Sequence, residues 1–266
     1  MQVRSLGYRP AMMIRALEGS QIADHGDSLV IRSPRHPEFW WGNFLLLPAQ
    51  PGPGEASLWL SRFAAEFPQA RHIALGIDAT DDQPMEIGGL LAAGLRRDRV
   101  TVMTASAVHD PPRPQRDAAY RQLLGDDDWR QAAGLRALCN STALGADRAF
   151  TDARIRAQRA LTEAGRGSWF GAFRDGQLLA QLGLVTAGDG IARYQDVETH
   201  PAARRQGLAG TLVCQAGRHV ISALGAHTLV IVADPDAGAI RVYRSAGFTD
   251  AEIQLSFERP PAAAKG

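Results

Sequence analysis

One stretch of the chain combines residues whose types and spacing suit chemistry: Tyr194 to Leu212, with the sequence YQDVETHPAARRQGLAGTL. Its first six residues are β-prone and predict a strand, which His200-Pro201 ends. The residues from Arg204 onward lead into an apolar-periodic segment that predicts a helix. Backbone N–H groups at a helix N-terminus lack partners inside the helix and lie at the positive end of its dipole, so they favour a phosphate or pyrophosphate. Gly207 would let such a ligand approach where a Cβ atom would collide.

The predicted strand also carries candidate acid–base groups. Side chains alternate along a strand, so one face is expected to carry Tyr194, Asp196, Glu198 and His200, and the other Gln195, Val197 and Thr199. Glu198 and Asp196 are candidates for a general base, and either could instead be solvated or paired with an arginine. His200 precedes a proline and is interpreted as structural. The two cysteines, Cys139 and Cys214, fall on predicted helices and are interpreted as small core residues.

The helix start carries a recognisable pattern. Arg204-x-x-Gly207-x-Ala209 matches the loop [Gln/Arg]-x-x-Gly-x-[Gly/Ala]. A proline precedes this loop, a strand precedes the proline, and Tyr243-x-x-x-Gly247-Phe248 follows further along the chain. With these surroundings the chain resembles the GNAT superfamily of acyl-CoA-dependent N-acyltransferases. The order of predicted elements from Trp129 onward agrees with a complete domain of that fold.

The resemblance implies a binding site for acetyl-CoA. The strand would pair its main chain with the pantetheine arm as an added strand does, and the helix start would bind the pyrophosphate. The implied contact residues are Val197, Glu198, Thr199, Arg204, Arg205, Gln206, Gly207, Leu208, Ala209, Gly210, Asp236 and Tyr243. Asp236 stands where many relatives carry an asparagine, and a carboxylate accepts a hydrogen bond but cannot donate one. A simple N-cap is the alternative for Asp236; an ordinary strand and a plain helix start are the alternatives for the other contacts.

The resemblance also implies direct acyl transfer without a covalent enzyme intermediate. Tyr243 matches a tyrosine placed near the thioester sulfur, where its phenol would protonate a departing thiolate whose conjugate acid titrates near ~8.5. The attacking amine titrates near ~10 and must be neutral, so it needs a base. Glu198 is the first candidate for that base and Asp196 the second. The alternative for Tyr243 is a helix tyrosine buried in the core.

Composition excludes several other classes of protein. The chain has 266 residues, 45% hydrophobic and 21% charged, with a net charge of +1; this fits a soluble globular protein with no strong attraction for nucleic acid or an anionic membrane. The two cysteines lack metal-ligand spacing, and no apolar run reaches the ~20 residues of a membrane span. We therefore expect a cytoplasmic protein without a metal. The only lysine is Lys265, which excludes P-loop nucleotidases and pyridoxal enzymes, since both need a lysine in the site.

The proline-rich residues 108–115 predict a domain boundary, with residues 1–112 before it and residues 113–266 after it. Both parts are predicted to follow the order strand, loop, helix, strand, Asp-containing loop, helix, strand. The predicted helices include Met85–Leu95 and Asp147–Ala164. The fold class is therefore α/β (α+β, with a mixed sheet), with a GNAT-like fold in the C-terminal half and a second, partial GNAT-like domain in the N-terminal half.

The N-terminal domain is either a degenerate GNAT-like copy or an unrelated accessory domain. Pro51 and Pro53 remove two N–H donors from the loop that corresponds to the phosphate-binding turn. We therefore expect this domain not to bind the cofactor. It would instead shape the acceptor cleft or hold a homodimer together.

The leading hypothesis is an N-acetyltransferase that moves an acetyl group from acetyl-CoA to a primary amine of a small molecule or peptide. The alternative from another class is a non-catalytic sensor or regulatory module of GNAT fold that holds acyl-CoA without turnover. A structural protein that binds no coenzyme is the third reading. The residues do not identify the acceptor, the acyl chain length or the oligomeric state.

Overall fold

The computed structural model describes residues 1–81, 87–140 and 148–261. The chain divides into two compact units. The first unit contains Met1–Val102 and the C-terminal residues from Ala251, and the second contains Met103–Asp250. The sequence-based domain division at residue 112 stays a prediction, since a compact unit is defined by packing and not by function or ancestry.

The described residues contain seven α-helices and eleven strands. The helices are α1 Tyr8–Leu17, α2 Ala56–Glu66, α3 Gly88–Ala92, α4 Gly125–Asn140, α5 Arg148–Glu163, α6 Leu208–Leu224 and α7 Ala239–Ser245. The strands are β1 Gln21–Asp24, β2 Leu29–Arg32, β3 Phe44–Leu47, β4 Ile73–Ile77, β5 Arg96–Ala105, β6 Ala119–Gln122, β7 Gly167–Arg174, β8 Gln177–Thr186, β9 Ile191–Thr199, β10 Thr228–Ala233 and β11 Thr249–Arg259. Short 3-10 turns occupy Trp40–Gly42 and Pro201–Ala203.

The first unit contains a mixed sheet with the strand order β1-β2-β3-β4-β11. Strands β3 and β4 are parallel, and the other neighbours are antiparallel. Helix α2 buries Trp59 and Phe63, which lie four residues apart and therefore on one face of the helix. These two rings pack in one core cluster with strand residues such as Leu45 and Leu75.

The second unit contains a mixed sheet with the strand order β10-β9-β8-β7-β6. Strands β9 and β10 are parallel, and the other neighbours are antiparallel. The turn Asp175-Gly176 joins β7 to β8 with φ values of 51° and 77°, the conformation of a two-residue hairpin that favours Asp-Gly. Helix α6 buries Leu212, Ala216 and Val220 at helical spacing against this sheet.

The structure confirms the predicted fold class, a mixed α/β arrangement. The predicted helix Met85–Leu95 is shorter, because Gly94 takes a φ of 79° and ends it. Met85 and Asp147 lie outside the described residues. The short edge strands β1 and β6 were not predicted, since four-residue segments of mixed polarity carry little periodic signal.

None of the helices in the described part of the chain has the length and apolar character that a membrane span requires.

Candidate active site

The parallel pairing between β9 and β10 covers only the first three residues of each strand. The paired residues are Ile191, Ala192 and Arg193 with Thr228, Leu229 and Val230. Strand β9 continues to Thr199 and β10 to Ala233, without further pairing between these two described segments. The edge of β9 that faces this gap therefore presents main-chain groups with which an extended ligand can pair as an added strand.

The equivalent parallel pair in the first unit stays closed. Strands β3 and β4 pair through Leu47 and Ile77, which are the last residues of both strands. The Asp78 N–H then donates to the Leu47 carbonyl at 2.8 Å and continues the ladder. No gap comparable to that between β9 and β10 opens along these described strands.

Strand β9 contains an extra residue relative to β8. Glu198 lies opposite Gln181 and Gln195 lies opposite Gly183, so two residues of β9, Asp196 and Val197, span the same interval as one residue of β8. Asp196 takes a φ of 52°, the left-handed region that aspartate tolerates better than most residues. Such an insertion is a β-bulge, which bends the strand and increases its twist.

The bulge reverses the alternation of side chains along β9. Tyr194 lies on the α6 face of the sheet, where its hydroxyl donates to the Val213 carbonyl at 2.8 Å. Glu198 lies on the opposite face with Gln181, whose amide donates to the carbonyl of Ala132 in α4 at 3.1 Å. The expectation that Tyr194 and Glu198 share a face is wrong, because the inserted residue shifts the two-residue period by one.

The two carboxylates on the α4 face are bound by one buried arginine. The Arg136 Nε atom lies 2.9 Å from Glu198 Oε1, and its Nη2 atom lies 2.9 Å from Asp196 Oδ2. Gln181 donates to Glu198 at 2.6 Å, and Gln158 donates to Asp196 at 2.6 Å. Asp196 and Glu198 were expected to be either solvated or paired with an arginine, and in the structure both pair with Arg136.

Opposing effects act on the Glu198 carboxyl. Burial raises its pKa, the Arg136 guanidinium lowers it, and the nearby Asp196 carboxylate raises it again. The net direction is upward from the ordinary value. A carboxylate of this kind is a stronger base than one exposed to water, which is the property that a general base near neutral pH needs.

Arg136 and its two glutamine neighbours were not among the residues predicted from the sequence. Arg136 lies on the buried face of α4 between Ala132 and Leu135 on one side and the half-buried Cys139 on the other. An arginine within the apolar stripe of an amphipathic helix is a signal that could have marked it. The glutamines carry no comparable signal, because their burial depends on strands and helices that are distant in the sequence.

The turn between β9 and α6 has the conformation expected of an anion site. Arg205 and Gly207 take φ values of 62° and 84°, and the first helical hydrogen bond runs from Thr211 N–H to Gly207 C=O at 3.1 Å. The N–H groups of Leu208, Ala209 and Gly210 precede that bond and have no acceptor inside the helix. Positive φ at a non-glycine residue is a strained conformation that clusters at ligand-binding turns.

The backbone conformation and close packing at position 207 require a glycine. A Cβ atom at this position would lie 2.8 Å from the Arg113 carbonyl oxygen, and its φ of 84° disfavours any other residue. Arg204, Arg205 and Gln206 are exposed beside it. The turn therefore combines a cationic surface with the dipole of a 17-residue helix.

Helix α7 places Tyr243 in the core of the second unit. Its side chain is 6% exposed, and burial raises the pKa of its phenol to about 12. The ring contacts Phe248 in an edge-to-face arrangement with centroids 6.5 Å apart. Tyr243 shares this apolar cluster with Tyr194 and α6, so it lies on the face of the sheet opposite to Glu198.

Asp236 lies in the exposed loop before α7. Its N–H donates to the side chain of Asp234 at 2.8 Å, and the N-cap position of α7 is Gly238. The N-cap alternative for Asp236 is therefore wrong. His200 is structural as interpreted: its Nδ1 accepts from the Ala202 N–H at 3.2 Å.

The comparisons with known proteins agree with this geometry. Residues 135–248 match the Acetyltransferase (GNAT) family. These residues form a GNAT acetyltransferase domain. The match contains the bulge in β9, the turn before α6 and Tyr243. The resemblance stated from the loop pattern is thereby confirmed, and the family and fold support acyl transfer.

Solved structures share the fold over nearly the whole chain. A functionally unknown conserved protein from Staphylococcus epidermidis is similar with a TM-score of 0.72 at 10% identity, over 92% of this chain and 95% of that one. A GCN5-related N-acetyltransferase from Kribbella flavida has a TM-score of 0.65 at 17% identity, with 98% of each chain covered. A tandem GNAT protein from the clavulanic acid biosynthesis pathway has a TM-score of 0.55 at 14% identity, over 97% and 95%. No curated protein matches the sequence.

The GNAT domain offers a thiol as a reporter of the Glu198 environment. Cys139 Sγ lies 3.6 Å from the Thr199 carbonyl, and burial and then the Glu198 carboxylate raise its pKa, while Arg204 and Arg136 lower it. Removing the negative charge with Glu198→Gln should lower that pKa and increase the thiolate fraction at pH 8. We expect Cys139 to react faster with a chromogenic disulfide reagent in this variant.

The reaction is measured in a Cys214→Ala background, where Cys139 is the only thiol. Glu163→Gln is the matched control, since Glu163 is a 62% exposed carboxylate on α5 and should leave the rate unchanged. A rate in Glu198→Gln equal to that of the parent would contradict the placement of Glu198 beside Cys139.

Proposed function

We propose that this protein is an N-acetyltransferase that moves an acetyl group from acetyl-CoA to a primary amine by direct attack. The observation that carries the proposal is the gap between β9 and β10, which opens next to the turn of the phosphate-binding type. One ligand with an extended arm and a pyrophosphate would satisfy both features. The acceptor is a small molecule or a peptide that bears the amine.

In this proposal the pantetheine arm pairs with the main chain of Val197, Glu198 and Thr199 along the open edge of β9. The pyrophosphate accepts from N–H groups at the turn, with charge from the exposed arginines; the turn residues are Arg204, Arg205, Gln206, Gly207, Leu208, Ala209 and Gly210. Asp236 would contribute at most an acceptor to the coenzyme, because a carboxylate has no proton to donate.

In this proposal the general base and the general acid lie on opposite faces of the sheet. The amine nitrogen attacks the thioester carbonyl from the α4 face and forms the C–N bond, and its proton passes to Glu198 directly or through water. The C–S bond then breaks, and the sulfur leaves as a thiolate toward the face that carries Tyr243. With a pKa of about 12, the Tyr243 phenol stays protonated far above neutral pH and is available to donate to that thiolate.

We propose that the first unit does not bind acyl-CoA. Its parallel strands stay paired to their ends, and the Gly52 N–H before α2 donates to the Glu55 carboxylate at 2.8 Å. The Glu55 carboxylate thus accepts from an N–H group that would otherwise be available to a phosphate. A cytoplasmic location and a homodimer also stay predictions.

A second candidate function is an acyl-CoA-binding module without turnover. The observation that favours it is the engagement of the Glu198 carboxylate by Arg136 and Gln181, which both donate to Oε2. A base held in this way would need to release part of the network to accept a proton. Turnover by the wild-type protein separates the two candidates.

Coenzyme binding has a direct charge test. Ala209→Asp places a carboxylate in the first turn of α6, where it suits the helix dipole but repels a pyrophosphate. We expect calorimetric titration of acetyl-CoA to give one site per chain in the wild type and an affinity at least ~10-fold weaker in the variant, since two like charges meet at close range.

Ser57→Asp is the matched control, because Ser57 has the same position in α2, second in the helix, and is exposed. It should leave acetyl-CoA affinity unchanged. Equal affinity for wild type and Ala209→Asp would contradict the pyrophosphate position, and two sites per chain would contradict the proposal for the first unit.

Turnover has a matched pair of tests on the two faces of the sheet. With a panel of primary amines, Glu198→Gln and Tyr243→Phe should each lower kcat by ~10²–10⁴-fold, the range typical of general acid–base groups. Binding of acetyl-CoA should persist in both, since neither change touches the turn before α6. Wild-type turnover in Glu198→Gln would refute its role as base, and a wild type that binds acetyl-CoA but acetylates no amine would favour the sensor.

A further inference from the structure

Three buried polar residues bind the Asp196–Glu198 pair: Arg136, Gln158 and Gln181. Packing alone does not explain why these residues are polar. Arg136 is 5% exposed, and Gln158 and Gln181 are each 1% exposed. Burying a guanidinium and two carboxylates is costly, and apolar residues of similar volume often stabilise a core as well or better. A buried ionic network is thus weak evidence for stability and better evidence for control of where charges point.

The network holds the Glu198 carboxylate from two directions. The Arg136 Nε atom donates to Glu198 Oε2 at 3.2 Å and lies 2.9 Å from Oε1, and Gln181 donates to Oε2 at 2.6 Å. Arg136 comes from α4 and Gln181 from β8, so two different elements restrain the same carboxylate. The planar guanidinium reaches Asp196 with its other arm at 2.9 Å, which a lysine ammonium on a flexible stem could not do with the same geometry.

We infer that Arg136 is a positioning residue for acyl transfer. It holds Asp196 and Glu198 together on the α4 face and directs the Glu198 carboxylate toward the side of the gap from which the amine attacks. This inference rests on the proposed function. Arg136 does not touch the reacting atoms in this account. It acts through Glu198, whose direction and protonation it controls.

The charged groups around Glu198 determine the sign of the effect. Arg136 and the Cys139 thiol face it from α4, and Asp196 neighbours it on β9. Arg154 of α5 lies 3.5 Å from Asp196, and Arg204 donates to the Thr199 carbonyl at 3.3 Å. Gln181 faces Glu198 from β8 without a charge. Removing the Arg136 cation weakens the ionised form of Glu198, so its pKa should rise.

The test replaces Arg136 by methionine and by lysine. In Arg136→Met, the acid limb of the pH profile of kcat/KM should move to higher pH by about one unit or more. An opposite charge within ion-pair distance lowers the pKa of a carboxyl by that amount, and the variant removes this charge. In Arg136→Lys, the limb should stay closer to its wild-type position, while kcat should fall by at least ~10-fold, since misaimed catalytic groups lose rate. Wild-type kcat in Arg136→Lys would overturn the inference.

Arg130→Met is the matched control, because Arg130 lies on the same helix, is 72% exposed and pairs with Asp127 at the surface. It should leave both the pH profile and kcat unchanged. A merely structural role for Arg136 predicts lower activity at every pH with the limb unmoved, and that result would also overturn the inference.

A measurement without turnover separates this inference from the proposed function. The Glu198 carboxyl can be titrated by NMR in protein labelled with ¹³C at the glutamate carboxyl, with Glu198→Gln to assign its signal. Its pKa should rise in Arg136→Met and not in Arg130→Met. An unmoved pKa overturns the positioning role, whereas full turnover in Glu198→Gln overturns the proposed base and leaves the NMR result to stand separately.

Discussion

Two residues of β9, Asp196 and Val197, span one residue of β8, and the candidate site depends on this mismatch. The bulge bends β9 just beyond Arg193, the last residue that pairs with β10. A strand that bends here cannot keep a parallel neighbour in register, so the two strands part. The cost is a left-handed φ at Asp196, and the ion pair to Arg136 helps to hold that conformation in place.

The same mismatch separates the two chemical groups. Because the two-residue period shifts by one at the bulge, Glu198 lies on the α4 face, while Tyr194 and Tyr243 lie on the α6 face. A thioester in the gap would therefore have an acceptor of protons on one side and a donor on the other. The described strands of the first unit have neither the gap nor the bulge, because β3 and β4 pair in continuous register to their ends.

Local signals explain why part of this was predictable. The β-prone residues before Pro201, the glycine in the turn and the apolar period of α6 each act within a few residues, and the structure contains that strand, turn and helix. The bulge was not predictable, since only an aspartate at position 196 hints at a left-handed residue. The burial of Arg136 and the return of β11 to pair with β4 depend on contacts between distant parts of the chain, which no sequence window contains.

The central claim is that an acyl-CoA occupies the gap between β9 and β10 and the turn before α6. Hydrogen–deuterium exchange with and without acetyl-CoA tests this most directly, since it reports on the main-chain N–H groups that the coenzyme would engage. The account predicts slower exchange in residues 194–210 on binding, and no change in residues 44–56 of the first unit. Unchanged exchange in residues 194–210 at saturating acetyl-CoA, or protection confined to the first unit, would contradict it.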